Sequence, residues 1–203
     1  MKEIQLISQP ERVKQLLDHS WLFCLQRIAA GKIVINKEAS LQLHYASIIK
    51  TLGDVYCISP SESFSIELES KQGKINIDIC CSIGDTKAAV ELKCFRKSSN
   101  RASDTDMYDV LKDVTRLQAL ESFDVKKFIC LTDNPYYANG AHAGHAGSVT
   151  IKDGFSYGKD AEISASWVGT WKDKSRDIPI SFNSKVTFQW NLLGDWYFLD
   201  IDI

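Results

Sequence analysis

Three charged residues, Asp78, Glu91 and Lys93, stand in two neighbouring segments whose apolar and polar residues alternate. Alternate side chains of a strand share one face, so Glu91 and Lys93 point to the same side. Asp78 belongs to the polar face of the preceding segment, and Gly84 and Asp85 between the segments are typical of a hairpin turn. The pattern therefore predicts a hairpin that brings two acids and a lysine together.

Two carboxylates on neighbouring strands are suitable ligands for a hard cation such as Mg²⁺. This ion commonly takes one or two protein carboxylates and keeps water and substrate phosphate as its other ligands. Lys93 would remain beside the ion as a fixed positive charge. The three residues thus indicate a candidate magnesium site.

In these residues the chain resembles the PD-(D/E)XK nuclease superfamily, the fold of many type II restriction enzymes and of DNA repair and recombination nucleases. Asp78 matches the first acid, Glu91 the second acid and Lys93 the lysine, while Ile77 stands where a proline often precedes the first acid. The resemblance implies a Mg²⁺-dependent endonuclease, with Mn²⁺ as a substitute, and favours DNA over RNA as the substrate. Asp78, Glu91 and the backbone carbonyl of Leu92 would bind the metal, and Lys93 would orient or deprotonate the attacking water.

The resemblance also implies an α/β fold with a restriction-endonuclease-like core of helix, three strands, helix and strand. Each part can be placed in order between residues 36 and 132 from its apolar periodicity. The predicted elements are a helix over Asn36–Leu52 with Asn36 as N-cap, a strand over Phe64–Glu69, the hairpin, a helix over Asp106–Glu121 and a strand over Lys127–Thr132. On the second helix, the polar residues predicted to face outward are Asp109, Lys112, Asp113 and Arg116.

The first helix of the core carries two further candidates, Glu38 and Gln42, one turn apart. Many members of the superfamily have a Glu or Gln on this helix that reaches the metal or the scissile phosphate. We therefore assign Glu38 as a metal ligand and Gln42 as a contact to nucleic acid. An alternative for Glu38 is a favourable interaction with the helix dipole, since acids are favoured in a first turn.

A short basic segment follows the second strand of the hairpin and contains Arg96, Lys97 and Arg101. The whole chain has a net charge of -2 and a pI near 6.1, so any attraction for phosphates must be local. We expect these three side chains to contact the phosphodiester backbone, where most protein contacts to nucleic acid fall. An ordinary solvated loop is the alternative.

The composition fits one globular domain over 1–203, with 44% hydrophobic residues among 203. A helical preface covers 1–35 and is predicted to be helical over Glu11–Ala30, the core covers 36–132, and a loop with a β-rich extension covers 133–203. Six cysteines without a C-x-x-C pair, and no secretory signal, predict reduced thiols in a cytoplasmic protein. No apolar run is long enough to span a bilayer, so no membrane partner is expected.

Two features of the last third are candidate sites. His142 and His145 form an H-x-x-H pattern. Zinc ordinarily needs three or four ligands, and no cysteine pair or third histidine lies nearby in the sequence. The pattern therefore favours a flexible surface loop. The aromatic residues beyond Ala161, among them Trp167 and Trp171, can stack on bases, yet at period two in strands they more often form a core or an oligomer interface.

Two alternatives to the nuclease remain open, and a homodimer is compatible with each. One is a catalytically silent module of the same fold that binds nucleic acid or assembles with protein. The other is an unrelated α/β protein in which Glu91 and Lys93 form a solvated charge pattern of little energetic value.

Overall fold

The computed structural model describes residues 7–73, 75–99, 101–163 and 179–203. In these ranges the helices are α1 (Gln9–Ala29), α2 (Glu38–Gly53), α3 (Ser103–Gln118), α4 (Tyr136–Asn139) and α5 (His145–Ser148). The strands are β1 (Phe64–Gln72), β2 (Ile75–Ile83), β3 (Thr86–Phe95), β4 (Val125–Thr132), β5 (Ser156–Tyr157), β6 (Glu162–Ile163), β7 (Ile180–Ser181), β8 (Val186–Thr187), β9 (Asn191–Leu193) and β10 (Trp196–Asp202).

The chain is a mixed α/β protein with helices at its N-terminal end and small strands at its C-terminal end. Six strands form a mixed sheet in the order β1-β2-β3-β4-β10-β9, with β3 parallel to β4 and α3 between them in the chain. The predicted succession of helix, three strands, helix and strand is confirmed. Two smaller sheets pair β5 with β8 and β6 with β7.

The residues cluster into two compact units. The first contains the chain up to Val90 together with Glu121–Lys127, and the second contains Glu91–Leu120 and the chain from Phe128 onward. The expectation of one domain over 1–203 stays a prediction.

In the first unit, α1 confirms the predicted helical preface. The Ser8 side chain accepts a hydrogen bond from the backbone N–H of Glu11, and Pro10 lies in the first turn, where its missing N–H costs nothing. One face of α1 is apolar and buried, and the hydroxyl of Tyr45 on α2 donates to the carbonyl of Leu17 at 3.0 Å. This apolar contact and hydrogen bond hold the two helices together.

The predicted N-cap of α2 is wrong by one residue, because Lys37 and not Asn36 caps the helix, which begins at Glu38. The Ser40 hydroxyl accepts hydrogen bonds from the backbone N–H groups of Asn36 and Lys37 at 3.0 and 3.2 Å. A side chain inside the first turn thus satisfies the N–H groups before the helix. The predicted apolar stripe is present, with Leu41, Tyr45 and Ile49 fully buried.

The hairpin of β2 and β3 has the predicted turn, and β2 has the predicted alternation, whereas β3 is buried continuously from Ala88 to Leu92. Gly84 adopts φ +56°, a left-handed conformation that glycine tolerates without strain. Ile79 is paired with Val90 in the antiparallel ladder, and both are fully buried. The apolar face of β2 therefore packs inward, and Asp78 belongs to the opposite, partly exposed face.

In the second unit, α3 begins and ends three residues earlier than predicted. Its apolar stripe is confirmed by five side chains with no exposed area, which are Met107, Val110, Leu111, Val114 and Leu117. The prediction that Asp113 faces outward is wrong, because this acid is buried. Its burial is explained by the ion pairs described below.

The C-terminal part confirms the predicted β-structure in the ranges described. Gly194, with φ +61°, and Asp195 form the turn between β9 and β10. Phe182 stacks on Tyr157 with 4.6 Å between ring centroids, and Phe182 and Phe188 are fully buried, so these aromatic residues are core. Trp167, Trp171 and Asn100 of the basic segment lie outside the described residues.

Two further expectations can be compared with the described residues. All six cysteines fall within them and none forms a disulfide. Within the same ranges, no helix has both the length and the apolar character that a membrane span requires.

Candidate functional site

Asp78, the first predicted acid, is fixed at its main chain by α2. The side-chain amide of Gln42 donates to the Asp78 carbonyl at 2.8 Å and to Oε1 of Glu69 at 2.8 Å. Gln42 was predicted to contact nucleic acid; in the structure it connects the helix to the strands on which Asp78 and Glu69 lie. Its amide therefore orients the peptide of Asp78.

Sequence reasoning missed Glu69, which lies in β1. The ladder pairs Leu68 with Ile79 and Ser70 with Ile77, so Glu69 and Asp78 occupy the intervening position. Glu69 has φ +52°, which residues other than glycine seldom adopt. No sequence signal marks this conformation, since glutamate does not favour it.

Glu38, the other candidate on this helix, lies in the first turn of α2 and is partly exposed. An acid at this position interacts favourably with the positive end of the helix dipole. The dipole interaction that was the alternative for Glu38 is therefore compatible with its position. Its assignment as a metal ligand stays a prediction.

Glu91, the second predicted acid, is buried in the second unit beside an arginine of α3. Nη2 of Arg116 lies 2.5 Å from Oε1 of Glu91 and 3.1 Å from Oδ1 of Asp113. Nζ of Lys93 lies 2.7 Å from Oδ2 of the same Asp113. We call Glu91, Arg116, Asp113 and Lys93 the charge network.

The charge network is largely removed from water. The side chains of Glu91, Asp113, Lys93 and Arg116 are 2%, 9%, 16% and 25% exposed. Two acids and two bases balance to zero net charge, which is how buried charges are commonly accommodated. Sequence reasoning missed Asp113 and Arg116 as members, although their spacing of three residues places them on one side of α3.

The carbonyl of Leu92 was predicted to be a metal ligand. It accepts a hydrogen bond from Nζ of Lys93 at 3.1 Å. Glu91 and Leu92 are thus two oxygen donors that each already bind a cationic group of the protein. Both oxygens are suitable ligands for a cation. In the structure, Glu91 binds Arg116 and the Leu92 carbonyl binds Lys93.

The described residues contain no cluster of three or more His, Cys, Asp or Glu side chains arranged to hold a metal ion. Mg²⁺ does not need such a cluster, because it commonly binds one or two carboxylates and completes its shell with water and phosphate. Within the second unit, the carboxylate of Glu91 and the carbonyl of Leu92 are oxygen donors of the kind that Mg²⁺ binds. Glu91 would have to exchange Arg116 for the ion.

The basic segment is held by acids of its own unit. Arg96 binds Asp133 at 2.9 Å through Nε and Nη2, and its guanidinium lies 4.8 Å from the ring centroid of Trp196. The backbone N–H of Lys97 donates to Oδ1 of Asp133 at 2.5 Å, while the residue as a whole is exposed. Asp133, which the sequence did not single out, thus orders the start of the segment.

Arg101, at the end of the basic segment, binds two acids of α3. Its Nε lies 2.6 Å from Oδ1 of Asp106, and its Nη2 lies 3.0 Å from Oδ2 of Asp109. Asp106 also accepts a hydrogen bond from the Tyr137 hydroxyl at 2.6 Å. Burial raises the pKa of Asp106, and burial together with the Asp106 carboxylate raises the pKa of Tyr137.

His142, one of the two histidines of the H-x-x-H pattern, is held locally. Nδ1 is 2.6 Å from Oγ1 of Thr150, and Nε2 is 2.8 Å from the carbonyl of Tyr136. Both ring nitrogens therefore serve the structure of their own segment. This position does not resemble a zinc ligand.

No family model matches this chain, and neither curated proteins nor solved structures give a significant match. The resemblance to the PD-(D/E)XK superfamily rests on three matched residues and on the order of the elements around them.

Proposed function

We propose that the chain is a Mg²⁺-dependent endonuclease that hydrolyses phosphodiester bonds of nucleic acid, with DNA favoured over RNA. The observation that carries the proposal is the pairing of Ile79 with Val90. Asp78 and Glu91 are the next residues along the same two antiparallel strands. We expect the ladder to continue by one position, which would bring Asp78 opposite Glu91 on one face.

Asp78 and Glu91 would hold Mg²⁺ with the carbonyl of Leu92, and Glu38 is the further candidate carboxylate. When bound, the metal lowers the pKa of a water molecule and polarises the phosphate as a Lewis acid. Gln42 contributes by holding the peptide of Asp78, through its hydrogen bond to that carbonyl. The protein thereby orients the main chain that carries the first acid.

Lys93 would place its ammonium where negative charge develops on the phosphate. Asp113 supports this role, because its carboxylate lies 2.7 Å from Nζ and orients the ammonium. A fixed charge that is already oriented stabilises a transition state without reorganising at the moment of reaction. Asp113 is then a positioning residue for Lys93.

Nucleic acid would approach along the basic segment. The backbone of Lys97 is fixed by Asp133, and its exposed ammonium is available to a phosphate. Arg96 and Arg101 would contact phosphates by leaving, or sharing, their acidic partners. The cytoplasm is the proposed location, in accord with cysteines that form no disulfide.

One observation favours a second function. The charges of Glu91 and Lys93 are neutralised by residues of the same compact unit. Arg116 binds Glu91 and Asp113 binds Lys93, so both charges are satisfied without a metal. Such an arrangement suits a silent module of the same fold that binds nucleic acid without cutting it.

A divalent-ion titration on a panel of single- and double-stranded DNA and RNA separates the two functions. We expect cleavage that requires Mg²⁺ or Mn²⁺, with loss of cleavage in Asp78→Asn and Lys93→Met. The matched controls are Asp85→Asn and Lys87→Met, exposed residues of the same hairpin. Binding without cleavage at any metal concentration would favour the silent module, and full activity of Asp78→Asn would overturn the nuclease.

A further inference from the structure

We propose that Arg116 competes with the divalent cation for Glu91 and so sets the metal concentration at which the site loads. This inference rests on the proposed function. It concerns a residue of α3 that the resemblance does not assign.

Arg116 and Glu91 are in direct contact. Nη2 of Arg116 lies 2.5 Å from a carboxylate oxygen of Glu91, whose side chain is 2% exposed. A buried carboxylate is strongly destabilised without a counter-charge, so the ionised Glu91 needs a cationic partner. The guanidinium and the metal ion are two cations for one carboxylate. Binding of either one therefore opposes binding of the other.

Arg116 has a second carboxylate partner to which it can turn. The same Nη2 is 3.1 Å from Oδ1 of Asp113, one turn earlier on α3. Arg116 can release Glu91 and keep a carboxylate partner without leaving the helix surface. The cost of exchange is therefore limited to one ion pair.

Arg116 and Lys93 share one carboxylate, that of Asp113. Asp113 binds Arg116 through Oδ1 and Lys93 through Oδ2. When Arg116 turns fully to Asp113, it occupies Oδ1 and leaves Oδ2 to Lys93. The Lys93 ammonium would thus stay positioned by Asp113 while the metal is bound.

The test measures metal binding without activity, by following free Mn²⁺ with electron paramagnetic resonance in the full chain. Arg116→Gln should lower the half-saturating Mn²⁺ concentration about threefold to tenfold, because a partly exposed competing ion pair is lost. Arg116→Lys should fall between wild type and Arg116→Gln, since lysine keeps the charge but not the planar fork. Arg27→Gln, an exposed arginine of α1, is the matched control and should bind as wild type does.

The outcomes separate this inference from the proposed function. Tighter binding in Arg116→Gln supports the inference, including the case in which wild type binds too weakly to detect. If wild type binds Mn²⁺ and Arg116→Gln binds it equally or more weakly, the inference is overturned. The proposed function then still stands. No Mn²⁺ binding by wild type, Arg116→Gln or Arg116→Lys overturns both. If Arg116→Gln does not fold, Arg116→Lys decides by the same criteria.

Discussion

Lys93 of β3 and Asp113 of α3 form an ion pair with 2.7 Å between Nζ and Oδ2, and both side chains are mostly buried. The pair joins the proposed catalytic lysine to a residue that the helical pattern assigned to the solvent. Because Asp113 also binds Arg116, one carboxylate balances two cations.

Asp113→Asn should lower the free energy of unfolding, because Lys93 and Arg116 would lose the negative charge that they share. A loss of about 1–3 kcal/mol is expected for leaving charged groups without a partner in a mostly buried position. Urea denaturation of wild type and variant measures it. The exposed Asp85→Asn should stay within about 0.5 kcal/mol of wild type, as surface changes usually do. Equal stability of the two variants would contradict a structural role for this pair.

Glu62 should make stability depend on pH in the acidic range. Arg12 binds both of its oxygens, Nη1 to Oε2 at 2.8 Å and Nη2 to Oε1 at 2.6 Å. Hydrogen bonds from Arg12, and then from Gln9, hold the pKa of Glu62 well below its usual range. A carboxyl group with a lowered pKa in the folded state contributes stability above its unfolded pKa of about 4.3 and loses that contribution as the pH falls further.

The comparison of wild type with Glu62→Gln tests this dependence. We expect the variant to be less stable at pH 7 and the difference to shrink steadily below about pH 4, where the unfolded carboxyl becomes protonated. Thermal unfolding across pH 2–7 provides the measurement. A difference that stays constant over this range would show that the ionised state of Glu62 does not matter.

Tyr137→Phe should destabilise the second unit, because the Tyr137 hydroxyl donates to the buried Asp106 at 2.6 Å. Loss of one hydrogen bond to a charged group costs about 1.5–3 kcal/mol. Tyr136→Phe changes the neighbouring tyrosine in the same way and serves as the control. Chemical denaturation of both variants should separate them clearly. If Tyr136→Phe costs as much as Tyr137→Phe, the Asp106 hydrogen bond is not the cause.

Lys97→Ala should weaken binding of duplex DNA about equally for different sequences and lower the slope of the log-log salt plot by about 0.9, the value of one phosphate contact. Stability should not change, because the bond to Asp133 uses the backbone N–H of Lys97. Replacement of Arg96, Lys97 and Arg101 together should lower the slope by about 2–3 if all three meet phosphates. Lys32→Ala, at an exposed lysine that follows α1, is the control. An unchanged slope in the triple variant would show that the segment is an ordinary solvated loop that does not contact phosphates.

The sequence by itself determined the elements and the faces that they bury. The stripe of α3 from Met107 to Leu117 and the alternation around Ile79 are periodic, and periodicity follows directly from the geometry of one helix or strand. Gly84 and Gly194 mark turns because their left-handed conformations suit glycine. These features need only local information, so the pattern was sufficient to predict them.

Tertiary structure alone decided which charged residues of different elements form ion pairs. Asp113 lies at the border of an apolar stripe, where periodicity is compatible with either solvent exposure or burial. Its ion pairs with Lys93 of β3 and with Arg116 stabilise the buried position. The pairing of Arg12 with Glu62, like that of Arg96 with Asp133, joins residues far apart in the chain. Opposite charges are numerous in this sequence, and only the packing of the elements selects which of them come within 3 Å of one another.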